Sequence, residues 1–311
     1  MLFDSPVTMT DALAHQLAKQ VMPTGMSSHE LEQLAQEIRD RSFFSARTTY
    51  ADYLAEAQKL IRQLVAPHTI VDPDTLVIRA ANPGETVNAA LVRTRLQKFL
   101  DSLGYKAAEG EEGGLKDLSS DKRIDLIIDT QTKMSAGYGK WRADQDPDVL
   151  DLYPADEMYR QINTGVHREW AERWNEARDV LGEATSATEA LDNEDGPFIA
   201  LKNDPIWAEL SRWGDPFPPF DYNSGMWVRD ADPDEAESLG VLAHDRPSAQ
   251  ERDLNQDVEI AVPDDMEPSL LDSLMASLGR RATLSDGQIK LKGTPALTHT
   301  PTRPHASGGA P

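Results

Sequence analysis

The stretch from Pro197 to Trp227 restricts the fold more than any other part of the chain. It opens as PFIALKNDPIW and closes as WGDPFPPFDYNSGMW. Each proline removes a backbone donor and fixes φ, and aromatic residues, prolines and glycines alternate through the whole stretch too densely for an amphipathic helix or a paired central strand. The rings of Phe217, Phe220, Tyr222 and Trp227 each offer a large area to bury, while Pro216, Pro218 and Pro219 reduce the entropy lost on ordering. A disordered linker would not carry so many aromatics. The expectation is a shaped loop pinned by its own rings, and two readings stay open: a stiffened lid over a core, or an exposed docking surface. On the docking reading Trp207, Trp213, Phe217, Phe220, Tyr222 and Trp227 contact a partner.

The segments before this loop are helical. Met9, Leu13, Leu17 and Val21 recur every four residues, with Thr8 or Thr10 placed to cap the start. Ser27 to Glu30 offers a capping box ahead of Leu31, Leu34 and Ile38. Tyr50, Leu54, Ala57, Ile61 and Leu64 mark a further helix that ends at Pro67. Thr75 to Arg79 reads as a short extended segment. Asn82-Pro83-Gly84-Glu85 reads as the start of a helix that carries Val87, Leu91, Leu96, Phe99, Leu100 and Leu103 and stops at Gly104. Ser119-Ser120-Asp121 caps another helix with Ile124, Ile127, Ile128, Gln131, Met134 and Tyr138 on one face, Gln131 being expected as a satisfied buried amide. Trp170 and Trp174 share a helix face. Glu183 to Glu194 reads as an insertion or long connection.

Beyond Val241 there are no aromatic residues. Arg246 to Pro268 is charged and poor in apolar residues, which suggests a linker. Leu270, Leu271, Leu274, Met275 and Leu278 then form a short amphipathic helix ending at Gly279. A helix this short is marginal alone, so it needs a partner surface, with Leu271, Leu274 and Leu278 as the contacts. Arg280, Arg281, Lys290 and Lys292 follow in what reads as a basic disordered tail able to touch nucleic acid. The expected fold class is mainly α with a small irregular or β part (α+β). Its parts are a helical N-terminal region (1–68), a core domain holding the proline and aromatic loop (69–242), and a C-terminal linker, short helix and tail (243–311).

Composition narrows the function. The 311 residues carry 53 Asp+Glu against 31 Lys+Arg, a formal net charge of -22, so the body as a whole repels a phosphate backbone. With no cysteine, disulfides, thiolate metal sites and a cysteine nucleophile are excluded. No N-terminal stretch looks like a signal peptide and no run is long and apolar enough to span a bilayer. The chain is therefore expected to be soluble, to work without export and to have no membrane partner. No specific catalytic constellation is present. His167 lacks the second histidine of a zinc-peptidase helix, and Asp156-Glu157 is an adjacent acid pair with no selecting spacing. No phosphate-binding loop, nucleophile elbow or dinucleotide fingerprint occurs. Catalytic, metal and cofactor sites are accordingly expected to be absent.

Several short motifs together resemble the head-morphogenesis proteins of tailed phages and prophages, the Mu F-like minor head proteins. They are Leu118 to Arg123, Asp129-Thr130-Gln131, Gly137 to Trp141, Tyr153 to Arg160, Trp170 to Trp174, Asp204-Pro205-Ile206-Trp207 and Pro218 to Met226. Arg229-Asp230 and Glu235 to Gly240 also fit, so the resemblance covers roughly Leu115 to Leu242. It implies a non-enzymatic structural protein, present in few copies at the portal vertex or capsid interior, and in the host cytoplasm during assembly. Its partners would be the portal protein and a major capsid or scaffold protein, with packaged DNA touched through the basic tail. Relatives often carry a cysteine-rich segment after Pro-Pro; Asn223-Ser224-Gly225-Met226 stands there, so no metal or thiol role is implied. Two alternatives come from other classes. One is a hydrolase or transferase with a cleft under the loop, using His167, Glu157, Arg160 or Asp221; the other is an acidic host-directed protein that mimics nucleic acid.

Overall fold

The computed structural model describes residues 10–66, 69–71, 78–80, 87–163, 168–191, 196–243 and 246–294. The chain is an α+β protein in which helices dominate and the sheets hold two or three strands each. Its spine is α6 (Asp121–Asp144), which is capped by Ser120 accepting from the Arg123 amide. At 1.5 Å per residue such a helix is about 36 Å long, enough to serve two cores. Its first half packs Ile124, Ile127 and Ile128 against α4 (Ala51–Val65) and α5 (Ala89–Ser102). Its second half packs Tyr138 and Trp141 against Phe217 of the proline and aromatic loop.

Local sequence explains most element boundaries. The α1 helix (Thr10–Ala18) is shorter than the apolar spacing predicts, because Gln20–Val21 leaves it as β1 to pair in parallel with β2 (Ser42–Phe43). Thr8 lies outside the described residues. The Ser27 to Glu30 capping box forms with both of its bonds, but the helix it starts is broken into α2 (Ser28–Glu32) and α3 (Gln36–Asp40). Of the extended segment at Thr75 to Arg79, only Ile78 and Arg79 are described; they belong to β4 (Ile78–Ala80), which pairs with β3 (Thr69–Val71). The expected cap at Asn82 is outside the described residues, and the helix begins later, with Asn88 accepting from the Leu91 amide.

The middle of the chain builds a second core. Strand β5 (Ala155–Arg160) lies between β6 (Ile199–Leu201) and β7 (Met226–Ala231), antiparallel to both. On one face of this sheet, α8 (Trp170–Leu181) and α9 (Ile206–Leu210) bury Trp170, Trp174, Trp207, Phe198 and Phe220 together. Glu183 to Glu194 is not a solvated insertion where it is described: Thr185, Ser186 and Ala190 are buried. Asp204 organises that turn by accepting from Thr185 Oγ1 at 2.7 Å, Ser186 Oγ at 2.6 Å and the Ile206 amide at 2.9 Å. A buried carboxylate needs such charge-assisted partners to offset its desolvation.

The C-terminal part departs most from expectation. After α7 (Pro147–Leu152) and α10 (Pro233–Ser238), the supposed linker contains β8 (Val258–Ala261) and a buried Leu254. Helix α11 (Pro268–Leu278) does need a surface, and this chain supplies it: Leu270, Leu274 and Leu278 pack on Met22, Met26, Leu31, Leu34 and Ile38. The supposed tail continues as β9 (Ala282–Ser285) and β10 (Gln288–Leu291), which pair with each other and with β8. Alternation explains why: Ile289 and Leu291 face the core while Lys290 and Lys292 face solvent. Residues 295–311 lie outside the described set. Among the described residues no helix is long and apolar enough to cross a membrane.

Candidate functional site

The stretch expected to be a loop throughout is one only in part, since Ile199–Leu201 is an edge strand, Ile206–Leu210 a short helix, and Met226 and Trp227 the start of β7; its rings nevertheless pack inward, as in the lid reading. Trp207, Trp213, Phe217 and Phe220 are buried, and Tyr222 and Trp227 are half-buried. Trp207 stacks on Phe220 at 5.8 Å between centroids and donates from Nε1 to the Leu201 carbonyl at 2.8 Å. Phe217 meets Tyr138 edge-on at 5.7 Å. Side chains spent this way are not offered to another molecule, so the docking surface expected here is withdrawn for the four buried rings. The same correction applies to Leu274 and Leu278, which are buried, and Leu271 packs against the same cluster. The loop approaches α6 through Gly137, where an added Cβ would lie 1.8 Å from the Pro218 carbonyl oxygen.

Among the described residues proposed from sequence for chemistry, Glu157 and Asp221 are engaged by different partners. Asp156 and Glu157 are neighbours on a strand and so point to opposite faces. Glu157 forms a cross-strand ion pair with Arg229, its register partner on β7. Asp221 is held by Arg168 at 2.9 Å and Arg173 at 3.1 Å, and its other oxygen accepts from the Tyr222 amide at 2.7 Å. Arg160 sits on β5 in register with Met226, and His167 is outside the described residues. Of the four basic residues assigned to a tail, Arg280, Lys290 and Lys292 are exposed. Arg281 instead donates to the Gln20 and Arg41 carbonyls, at 3.3 and 2.7 Å, and ties the C-terminal sheet to β1 and β2.

Two charged clusters were not legible in the sequence. In the first, Asp156 and Asp230 are register partners on neighbouring strands, a like-charge arrangement that is unfavourable alone. Asp144 of α6 joins them, and ligand oxygens of the three lie within 4.8 Å of one another. Two lysines resolve the repulsion. Lys202 Nζ is 2.6 Å from Asp230, 2.7 Å from Asp156 and 3.1 Å from Asp144. Lys140 Nζ reaches the same three carboxylates at 2.9, 3.3 and 2.6 Å. Burial still pushes the Asp156 carboxyl up, opposed by the two lysines. The ammonium groups occupy the place a cation would take.

The second cluster lies between the N-terminal helices and the loop. Arg252 bridges Asp40 of α3 and Asp215 of the loop, the latter at 3.3 Å, and its guanidinium lies 5.8 Å from the Phe217 ring centroid. Burial, then the nearby Asp215, pushes the Asp40 carboxyl up to about 7. Burial lowers Lys19 to about 8. His15, stacked on Tyr138 at 4.8 Å and 3.2 Å from Ser135 Oγ, is pushed well below its ordinary range by burial.

Lys19, Asp40 and Asp215 form part of the wall of a cleft of about 1350 Å³. Its other walls come from α6, including Arg123 and the half-buried Gln131, and from Trp213 and Tyr222 of the loop. The Gln131 side-chain oxygen accepts from Gln16 Nε2 at 3.4 Å. Clefts that combine apolar and aromatic lining with a few perturbed titratable groups are the usual setting for ligand binding. The chain matches no family model, no curated protein and no solved structure to which it was compared.

Proposed function

We propose that the chain is a minor head protein of a tailed phage or prophage, a non-enzymatic component of capsid assembly at the portal or capsid interior. The resemblance of Leu115 to Leu242 is the premise. The observation that supports it is that the residues carrying that resemblance serve one scaffold. Asp204 pins the turn before α9, Trp207 fills the core, Pro218 seats on Gly137, and Lys140 and Asp156 neutralise each other. Residues used in this way specify a shape, as a structural subunit requires. Portal, capsid or scaffold protein would be the partner, and the exposed Arg280 and Lys292, with Lys290 already paired to Glu259 at 2.9 Å, would be the cations to meet packaged DNA. Screening limits the field of the acidic body to about 8 to 10 Å, so local positive charge can act.

Co-purification of the tagged chain with the products of its flanking genes, followed by negative-stain imaging, tests this. Recovery of portal rings or procapsids is expected; recovery of the chain alone, from cells making those products, refutes it. One observation favours a second reading, a hydrolase or transferase: Lys19 and Asp40, with shifted protonation, face the same cleft. That reading requires turnover of an ester or glycoside substrate that is abolished in Lys19→Met.

A further inference from the structure

The cleft holds cations that form no ion pair with any described residue. Lys19 is 3% exposed, yet its ammonium makes no hydrogen bond or ion pair with any described residue; Asp40 and Asp215 act on it only at longer range. Arg39 is in the same position: its Nε is buried without a partner, and no carboxylate is within ion-pair distance among the described residues. Arg123 donates from Nη2 to Ser45 Oγ and the Ala46 carbonyl, both neutral, and its Nε is also unpartnered. The groups that act on Arg123 electrostatically are the hydroxyls of Tyr53, Tyr222 and Tyr105, not carboxylates. Burying the Lys19 ammonium and half-burying the two guanidiniums with no carboxylate at ion-pair distance is costly.

Charge and size together identify the occupant. Cations outnumber carboxylates along this cleft, although acids exceed bases by 22 in the whole chain. The volume exceeds the roughly 300 to 1,000 Å³ of ordinary small-molecule pockets. These cations reach the cleft from different parts of the chain, Lys19 just after α1, Arg39 from α3 and Arg123 from α6. Phe44, Trp213 and Tyr222 supply apolar surface near them. We propose that the cleft binds an extended acidic peptide segment of a partner protein, whose carboxylates pair with Lys19, Arg39 and Arg123 and whose apolar residues rest on those rings. A nucleic acid fits less well. Its one charge per about 1.7 Å of duplex would be repelled by the acidic body on either side of the cleft, whereas a peptide can confine its charge to the cleft. The inference does not depend on the head-assembly reading.

Fluorescence anisotropy with the full chain tests it, using a labelled peptide of alternating Glu and Leu, its Lys and Leu counterpart, and labelled oligothymidine of matched length. The acidic peptide should bind and the basic one should not. The double variant Arg39→Gln, Arg123→Gln should weaken acidic-peptide binding by roughly a hundredfold or more, the loss of two charge-assisted hydrogen bonds. Should that variant misfold, the peptide should protect Arg39 and Arg123 of the unmodified chain from phenylglyoxal, read by mass spectrometry. Failure of the acidic peptide to bind, unchanged binding in a folded double variant, absence of protection, or tighter binding of oligothymidine would each overturn the proposal.

Discussion

Replacing Lys202 by Met tests the account of the buried charge cluster. The Lys202 side chain is 1% exposed and its ammonium lies within 3.1 Å of three carboxylates, while Lys140 reaches the same three. Two ammonium groups against three carboxylates leave one negative charge in excess. Lys202→Met keeps most of the side-chain volume but leaves two in excess, and only Asp230 has substantial access to water. Breaking a buried pair by removing one partner costs about 3 to 5 kcal/mol. That is a large part of the roughly 5 to 15 kcal/mol that holds most proteins folded. At about 2 to 4 °C per kcal/mol the midpoint should fall by roughly 6 to 20 °C, toward the lower end for a chain of this size. Calorimetry at neutral pH, with urea unfolding as a second probe, reads the effect. Adding Asp156→Asn restores the original excess of one, so the double variant should recover part of the loss, with a coupling of about 0.5 to 3 kcal/mol. A loss below about 1 kcal/mol in Lys202→Met, or a double variant no more stable than the single, would mean that Lys202 does not neutralise the three carboxylates.

Further outcomes follow from the same geometry. In Lys202→Ala the three carboxylates should accept a divalent cation, so millimolar Ca²⁺ should raise the midpoint of that variant and leave the unmodified chain unchanged. Gly137→Ala drives a methyl group into the Pro218 carbonyl and should cost at least about 1 to 3 kcal/mol by urea titration, the usual range for overpacking. Leu274→Ala should cost about 2 to 5 kcal/mol, and deletion from Arg280 onward should destabilise the N-terminal helices; unchanged amide exchange there would contradict the shared core. Asp40 keeps its proton in the fold up to about pH 7, whereas the unfolded chain releases it near 3.8. Stability should therefore fall as pH rises through that window relative to Asp40→Asn. Lys19 has the opposite sign: its penalty is present below about pH 8 and is relieved as pH rises toward 10.5, a trend that Lys19→Met should remove.

What the sequence made legible was local. The Ser27 and Ser120 caps, the shared face of Trp170 and Trp174, and the end of α11 before Gly279 depend on residues a few positions apart, and all four appear in the fold. The C-terminal sheet was missed because composition was weighed over alternation: the charged Lys290 and Lys292 concealed the buried Ile289 and Leu291 that alternate with them. The linker reading failed for a related reason. Arg252 looks like a solvated charge in a polar stretch, but its partners are Asp40 and Asp215, 212 and 37 positions before it. No pattern within the stretch itself could have named them.

The same distinction explains why the candidate site differs from the one expected. An amphipathic stripe states that a face must be covered, but not by what. For Leu270, Leu274 and Leu278 the cover is Met22 to Ile38, brought in from the other end of the chain. Once own-chain packing consumes the apolar surfaces that looked available, the features that still require a partner are electrostatic. Lys19, Arg39 and Arg123 are among them, placed on three different elements or turns and facing one cleft. Unpaired charge in a site that folding could have paired, in a chain with acids to spare, is a cost that a scaffold alone does not explain. A binding role for the cleft accounts for it, and this makes the cleft, rather than the aromatic loop, the place to seek the partner.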